Sequence, residues 1–399
     1  MMVEWLELGG LLKSVNSGLN PRNIFVLNED EACNFYVTVK EITTGKIRFN
    51  DKTDKVTDAA LKIIQNRSNL EMGDVLVSGI GTIGKVAIVD IPCDNWNCSE
   101  SVLLLKVKKE KILPKYLMYI LSGERVQRIW EKESVGSTLK GIRKAALVKM
   151  RIPVPPICEQ ELIVKKLDAF TCLIEKLDEE IDLRKKQFTY YQEELLTFKD
   201  NDVSKWLSFG EDFMLKARIG WQGLTKKEYK ETGSYKLITG TDFTCENRID
   251  FDNCVYVDKE RYDQDPYIQI REDDVLITKD GTLGKIAYIE KLDMPATLNG
   301  GIFVVRDLNG RVKQKFLMYY LTSSIFKNWM KRNHTQGSIQ HLTQALLSKF
   351  TIPVIRMEEQ CAIVEKLDAF TNLISKLEEE RDLRQKQYEY YREKLLTFE

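Results

Sequence analysis

The chain has little of what most catalytic centres are built from. Only two histidines, His334 and His341, occur in 399 residues, and no cysteine lies beside them. A zinc site needs about four compactly spaced Cys or His ligands, so none is expected. A His-dependent nucleophilic centre serving two similar halves is not expected, on the same count. The eight cysteines, at 33, 93, 98, 158, 172, 245, 254 and 361, form no CxxC pair and suggest no oxidised framework. A reducing, cytoplasmic setting is expected. No apolar run approaches the ~18 residues of a membrane span. The opening MMVEWLELGG has no basic stretch leading into an apolar one, so no signal peptide is expected. Nothing resembles the Asn/Asp-Pro-Pro-Tyr motif of DNA amino-methyltransferases: VPPI at 154–157 keeps two prolines, without a polar residue before or an aromatic after.

Net charge is also missing: 60 Lys and Arg balance 60 Asp and Glu. That average alone argues against nucleic-acid binding, which favours basic domains. It hides a pattern. Residues 104–151 carry 13 basic side chains against 4 acidic, and 306–351 carry 8 against 1. The following stretches are acidic, with 7 against 11 in 152–200 and 8 against 11 in 352–399. Two basic patches alternating with two acidic segments suit contact with a polyanion at two places.

The alternation reflects a duplication. At an offset of 200 residues, IPVPPICEQELIVKKLDAF at 152–170 answers IPVIRMEEQCAIVEKLDAF at 352–370, and 31 of 47 positions from 152 to 198 are identical to their partners. GDVLVSGIGTIGKVAIV at 73–89 answers DDVLITKDGTLGKIAYI at 273–289, and KYLMYIL at 115–121 answers KFLMYYL at 315–321. The rest of each upstream half is dissimilar. Two like segments and two unlike ones suggest one shared structural task and two separate recognition tasks.

The like segments carry a seven-residue period. Ile163, Leu167, Phe170, Ile174 and Leu177 begin one seam; Ile363, Leu367, Phe370, Ile374 and Leu377 begin the other. This 3.5-residue spacing predicts a left-handed coiled coil. Pro153, Pro155, Pro156 and Pro353 mark the starts of the rods. About 40 residues make a rod of roughly 60 Å. The short polar link KDNDVSK implies that the next unit begins where the first rod ends, which makes the rods antiparallel and pseudo-twofold related. Packing of each rod on its own domain is the alternative. Upstream, FYVTVKEI, DVLVS, KVAIVDI and SVLLLKV, with SYKLITG, DVLIT, KIAYIE and GIFVVR, read as strands. KYLMYILSGERVQRIWEKE and KFLMYYLTSSIFKNWMKR each read as one basic amphipathic helix. The expected class is α/β (α+β), with domains at 1–151 and 201–351 and helical spacers at 152–200 and 352–399.

GIGTIGK at 79–85 resembles a phosphate-binding loop, but Val86 replaces the Ser or Thr that would hold magnesium, and Lys279 replaces the first glycine in the second copy. A tight hairpin is the better reading. Arg125, Arg128, Trp130, Lys132, Lys140, Arg143 and Lys144 surround GSTLKG; Lys327, Trp329, Lys331, Arg332 and His341 surround GSIQH. Basic side chains neutralise phosphates, while Ser, Thr, Asn and Gln can read base edges. For any single residue, a solvated helix face or a core tryptophan serves as well; the recurrence of the whole patch favours nucleic acid.

The rod starts IPVPPICEQELIVKKLDAF at 152–170 and IPVIRMEEQCAIVEKLDAF at 352–370, with the DVL…GT-x-GK strand–turn–strand in each half and ATLNGGIFVV at 296–305, resemble the specificity (S) subunit of type I restriction–modification systems. RIGWQGLTKKEYKETGSYKLITG at 218–240 resembles one variety of that family's target recognition domain, while NCSESVLLL at 97–105 departs from the NGG version. The resemblance implies two target recognition domains on an antiparallel coiled coil, each reading half of a split, asymmetric double-stranded DNA target. It implies no cofactor or catalysis of the chain's own. Two methyltransferase (M) subunits carrying S-adenosylmethionine and two restriction (R) subunits supply the chemistry. The helices then act as a spacer of at most ~17 base pairs, and Leu173, Leu183, Tyr190 and Leu196 are candidates to dock M-subunit helices. The DNA-contact candidates are Thr82, Lys85, Arg128, Ser137, Thr138, Lys140 and Arg143 in the first half. In the second they are Arg218, Trp221, Gln222, Lys279, Thr282, Lys285, Asn299, Lys331, Ser338, Gln340 and His341. A fused restriction enzyme's recognition module, a tether for protein-binding domains without DNA affinity, and an unrecognised nuclease centre are the other readings.

Overall fold

Strands buried on both faces need apolar residues at every position, and VLVS at 75–78 and VLIT at 275–278 supply nearly that. The computed structural model describes residues 3–22, 24–43, 45–134, 141–199, 203–218, 224–281, 283–333 and 342–398. It divides into two units, Met1–Asp178 with Glu379–Glu399, and Glu179–Glu378. The cut passes through both long helices, so each unit takes in part of each spacer segment.

In the first unit the elements run β1 (Glu4–Glu7), α1 (Leu8–Leu11), β2 (Leu12–Ser17), β3 (Asn34–Val37), β4 (Lys55–Val56), α2 (Asp58–Ser68), β5 (Val75–Ser78), β6 (Val86–Ile88), β7 (Trp96–Cys98), β8 (Val102–Val107), α3 (Pro114–Ser122), α4 (Glu124–Ser134), α5 (Lys144–Lys149), β9 (Arg151–Val154) and the start of α6 (Ile157–Leu196). The second follows with β10 (Lys205–Ser208), β11 (Met214–Lys216), β12 (Tyr235–Ile238), β13 (Val255–Val257), α7 (Lys259–Asp263), β14 (Val275–Thr278), β15 (Ile286–Tyr288), β16 (Ala296–Leu298), β17 (Ile302–Arg306), α8 (Gln314–Thr322), α9 (Ser324–Asn333), α10 (Gln344–Leu347), β18 (Thr351–Val354) and α11 (Met357–Leu396).

Both units use one topology. A four-stranded antiparallel sheet has order β2-β8-β5-β6 in the first and β11-β17-β14-β15 in the second. A three-stranded sheet, β4-β3-β7 or β13-β12-β16, contains one parallel pairing each, β3 with β7 and β12 with β16. Side chains alternate across a strand, and the cores follow that period. Val75, Val77 and Leu105 face the α3 side with Tyr116 and Leu117, while Leu76, Leu104 and Ala87 face Val37, Trp96 and Cys98. In the second unit Val275, Ile277 and Val305 join Phe316 and Leu317, while Leu276, Ile302 and Val304 join Ile238 and Leu298. Each fully buried aliphatic contributes about 1.5–3 kcal/mol. A few polar groups lie inside as well. Arg306 is paired with the carboxylate of Asp274, and Lys106 with that of Asp74 at 3.2 Å.

Each expected long basic helix is two helices. Gly123, at φ −70° and ψ 150°, is extended, and its carbonyl starts α4 by accepting from Val126 and Gln127. Ser323, also extended, plays this part before α9. Glycine and serine suit such cap positions, which the amphipathic period does not reveal. Pro153 and Pro353 lie within β9 and β18, opposite Trp5 and Trp206. α6 starts directly after Pro155 and Pro156, and α11 after Ile355 and Arg356.

Within each unit the helical segments are antiparallel. In the first, Phe170 of α6 stacks on Tyr391 of α11 at 5.3 Å. In the second, Tyr191 of α6 stacks on Phe370 of α11, also at 5.3 Å. Ile163, Leu167, Leu177, Ile363, Leu367 and Ile374 are buried, and Phe170, Ile174, Phe370 and Leu377 are half-buried. Ile163 and Leu167 also join the first unit's α3-side core, and Ile363 and Leu367 the second's, so the starts of both rods pack on their own domains.

Candidate nucleic-acid interface

The glycine-rich segments are hairpin turns from β5 to β6 and from β14 to β15. Gly81 and Gly84 have φ of +85° and +86°, and Gly281 and Gly284 +71° and +74°, a region that side chains with a Cβ rarely enter. Gly84 also needs its bareness for packing: a Cβ there would come within 3.2 Å of the Trp130 ring. The turns are therefore dictated by backbone geometry and not by phosphate chemistry.

Each turn is tied from both sides. The amide of Gly79 donates to the Ser101 carbonyl at 2.8 Å, and that of Lys279 donates to Gly301 at 2.8 Å. The Gly79 carbonyl accepts from Ile142 at 2.7 Å and the Lys279 carbonyl from Leu342 at 3.0 Å. Hairpin, the turn before β8 or β17, and the segment leading into α5 or α10 thus form one junction, twice. In the first unit the Gln127 amide joins α4 to it, donating to the Gly84 carbonyl at 2.9 Å and to Leu121 at 2.7 Å.

The sequence candidates divide on this frame. Thr82 is exposed near the hairpin tip. Lys85 lies behind it, its ammonium donating to the Val39 carbonyl at 2.8 Å. Arg128 is exposed on α4 and paired with Glu124, one turn away. Arg143 is exposed immediately before α5. Arg125 lies over the Trp5 ring at 4.1 Å, and the Lys144 ammonium donates to the Val15 carbonyl. In the second unit Lys279 lies 5.5 Å over Phe303, and Lys285 donates its amide to Thr278 Oγ1 at 2.9 Å. Lys327, Lys331 and Arg332 are exposed on α9, and among the described residues no carboxylate lies within ion-pair distance of them. Asn299 donates to the Tyr229 hydroxyl at 2.9 Å.

Arg218 is elsewhere than a DNA contact requires. It is 2 % exposed, and its guanidinium donates to the carbonyls of Leu298 (2.9 Å) and Arg261 (3.3 Å), Gln264 Oε1 (3.0 Å) and Thr297 Oγ1 (3.2 Å). Burial, with Arg261 nearby, pushes its pKa below the ordinary guanidinium value. The side chain pins β16 to α7 instead of reaching outward. Both tryptophans of the basic patches are also internal. Trp130 is buried, and Trp329 packs between Phe326 and Phe350. Bulk won over the basic–aromatic pattern there, because large rings are the best filler for a core. Leu196 is likewise buried, in the second unit's core, whereas Leu173, Leu183 and Tyr190 are exposed. Ser137, Thr138, Lys140, Trp221, Gln222, Thr282, Ser338, Gln340 and His341 lie outside the described residues.

Sequence reasoning did not single out the recess beside the first hairpin. It has a volume of about 320 Å³ and is lined by Asn20, Tyr36, Ile80, Ser99, Glu100 and Ser101 among others. The available signal was the departure of 97–105 from its counterpart. Among the described residues no cluster of His, Cys, Asp and Glu is arranged to hold a metal, and no helix is long and apolar enough to cross a membrane.

Two α+β units of one topology, each with a hairpin braced by the same backbone bonds, define a duplicated scaffold. The chain belongs to the family described as the type I restriction modification DNA specificity domain, which matches residues 8–183 and 222–384. It is 32% identical over 267 residues to the EcoR124I/EcoR124II specificity subunit of Escherichia coli, a match spanning 63% of each chain. It is 22% identical over 398 residues to the MjaVIII specificity subunit of Methanocaldococcus jannaschii, covering 95% of this chain and 88% of that one. The crystal structure of an S subunit from M. genitalium is similar in fold, with a TM-score of 0.58 at 17% identity, covering 100% of this chain and 97% of the other.

Proposed function

We propose that this chain is the DNA-reading specificity subunit of a type I restriction–modification complex. Each unit reads one half of a bipartite, asymmetric double-stranded target, and partner subunits methylate adenine or cut. The observation that carries this reading is the repeated junction. The same backbone bonds brace the hairpin in both units, while the side chains around it differ: Ser99, Glu100 and Ser101 in one, Asn299, Gly300 and Gly301 in the other. A fixed frame with exchanged side chains is what two independent readers of different sequences need. On this reading the exposed Thr82, Arg128 and Arg143 of the first unit, and Lys327, Lys331 and Arg332 of the second, meet phosphates.

M subunits dock on the exposed apolar positions of the long helices. These recur in register, Leu173, Leu183 and Tyr190 in α6 and Leu373, Leu383 and Tyr390 in α11, at 37–65% exposure. Their recurrence gives each of two M subunits an equivalent seat. The chain contributes binding, and the partners carry S-adenosylmethionine and ATP chemistry in the cytoplasm. The test replaces residues 1–151 with the matching segment of another family member, co-expresses the chimaera with its M subunit, and maps methylated adenines. One half of the methylated motif should change and the other persist; simultaneous change of both halves would refute independent reading.

A further inference from the structure

At position 100 the first unit's recess holds a carboxylate, and the matching position of the second unit is a glycine. Glu100 occupies the middle of the turn that braces the hairpin, and its counterpart is Gly300. Its Oε1 is held from two sides, by the Asn20 amide at 3.1 Å and the Arg22 guanidinium at 2.9 Å. Its Oε2 receives no hydrogen bond from the described residues, and the side chain is 27% exposed. The flanking hydroxyls of Ser99 and Ser101 bond to each other at 2.5 Å. Ile80, 46% exposed at the hairpin turn, forms another wall of the recess. The other carboxylate in the lining, Asp54, already accepts from Asn28 at 2.7 Å. Glu100 is thus fixed by one oxygen and open by the other.

A carboxylate at a DNA-facing surface is repelled by phosphates. It is useful there only where it meets a donor. In the major groove guanine offers acceptors at N7 and O6, and adenine and thymine each offer at least one acceptor. Cytosine presents an amino donor alone. Adenine sets its N6 amino donor beside the N7 acceptor. A carboxylate, which can only accept, is therefore repelled by guanine and thymine and favours cytosine over adenine, whose N7 lies next to the donor.

We propose that Glu100 is a specificity-determining residue of the first unit, accepting a hydrogen bond from the N4 amino group of a cytosine in the half-site that this unit reads. Asn20 and Arg22 are positioning residues that aim it. The inference rests on the function proposed above, which puts the hairpin face against DNA. Loss of one such contact lowers discrimination at that base by roughly 10-fold.

The test uses the full chain with its M subunit, comparing wild type, Glu100→Gln and Asn20→Ala by methylome sequencing. Duplexes substituted at each motif position are then used in binding assays with the purified complex. In wild type, one position of the first half-site should be cytosine. Glu100→Gln, which adds a donor, should relax or change that position alone. Asn20→Ala should relax the same position more weakly. An unchanged motif in Glu100→Gln, or a loss of binding that is uniform over all substituted duplexes, would overturn the proposal by reducing Glu100 to a structural part. If Glu100→Gln yields no stable complex, the Asn20→Ala duplex series decides alone by the same criterion. Wild type giving no bipartite motif would instead reject the function on which the proposal stands.

Discussion

Phe170 and Tyr391 stack with ring centroids 5.3 Å apart and planes 19° from parallel. They belong to different helices of one unit, and the duplication reproduces the pair as Tyr191 on Phe370 at 5.3 Å and 24°. Rings at these seam positions are registration marks in an otherwise repetitive apolar pattern. Leucine and isoleucine neighbours tolerate a shift of one heptad, whereas a stacked pair does not.

Phe170→Ala should therefore loosen the end of α11 more than the start of α6, which is also held by the domain core. The ring is half-buried, so the loss should be about 2 kcal/mol, part area and part stacking. Hydrogen exchange of amides 385–396 reads it. A double-mutant cycle with Tyr391→Ala should show coupling of roughly 0.5–1.5 kcal/mol. Strictly additive losses would mean that the stacking carries no energy of its own.

Gln160 and Gln360 are fully buried and bonded alike. Gln160 Oε1 accepts from the Leu113 amide at 2.9 Å, and its Nε2 donates to the carbonyls of Lys111 at 3.1 Å and Pro155 at 2.9 Å. Gln360 repeats this with Lys313, Arg311 and Ile355. The glutamine in each Glu-Gln pair thus fastens a long helix to the N-terminus of α3 or α8. Gln160→Ala would strand buried backbone groups and should cost about 2–4 kcal/mol. Gln160→Leu, matching the volume, should cost a similar amount, because shape is not what the site lacks. A loss below about 0.5 kcal/mol in thermal or denaturant unfolding of either variant would show that water replaces the bonds.

How much of this was legible follows from the type of signal. The 3.5-residue period placed the seams, and the continuous apolar runs placed β5, β8, β14 and β17, because burial imposes both patterns directly. The helix breaks at Gly123 and Ser323 were hidden, since a cap changes two backbone angles without disturbing the amphipathic face. Arg218 was misread because a buried arginine satisfied by four acceptors looks, in sequence, like any exposed one. Trp130 and Trp329 were ambiguous for the converse reason: rings beside basic residues suit a core as well as a base. Glu100 became visible only when the fold set it beside Asn20, 80 residues away.

Arg306 sits in the second unit at 7% side-chain exposure, paired with Asp274 at 2%. The guanidinium also donates to the carbonyls of Gln269 at 2.6 Å and Tyr267 at 3.2 Å. Burial pushes the Asp274 carboxyl up from its usual range, and Arg306 opposes that rise. Arg306→Met should destabilise the second unit by about 3–5 kcal/mol, because it leaves a buried carboxylate unpaired. Adding Asp274→Asn should recover part of the loss. Amide exchange in β14 and β17 reports both, and no recovery in the double variant would shift the cost from charge to packing.

Glu228 gives a pH dependence of definite sign. Its carboxylate accepts from the Thr225 amide at 2.8 Å and from the Thr225 hydroxyl at 3.0 Å, and it is bonded by Arg261. The backbone bond first, then Arg261, lower its pKa below the ordinary value. A carboxylate with a depressed folded pKa stabilises the fold above its unfolded pKa, about 4.3, and that stabilisation is lost as pH falls through the folded value. The turn at 225–228 should therefore be unchanged between pH 7 and 5 and open only below about 4.3. Opening should also free the Arg261 guanidinium and loosen the Tyr229–Asn299 bond that follows the turn. Glu228→Gln should leave the turn looser at pH 7 and remove this acid step. NMR titration of the Thr225 amide measures it directly. A transition centred above pH 5, or the same acid step in Glu228→Gln, would place the controlling group elsewhere.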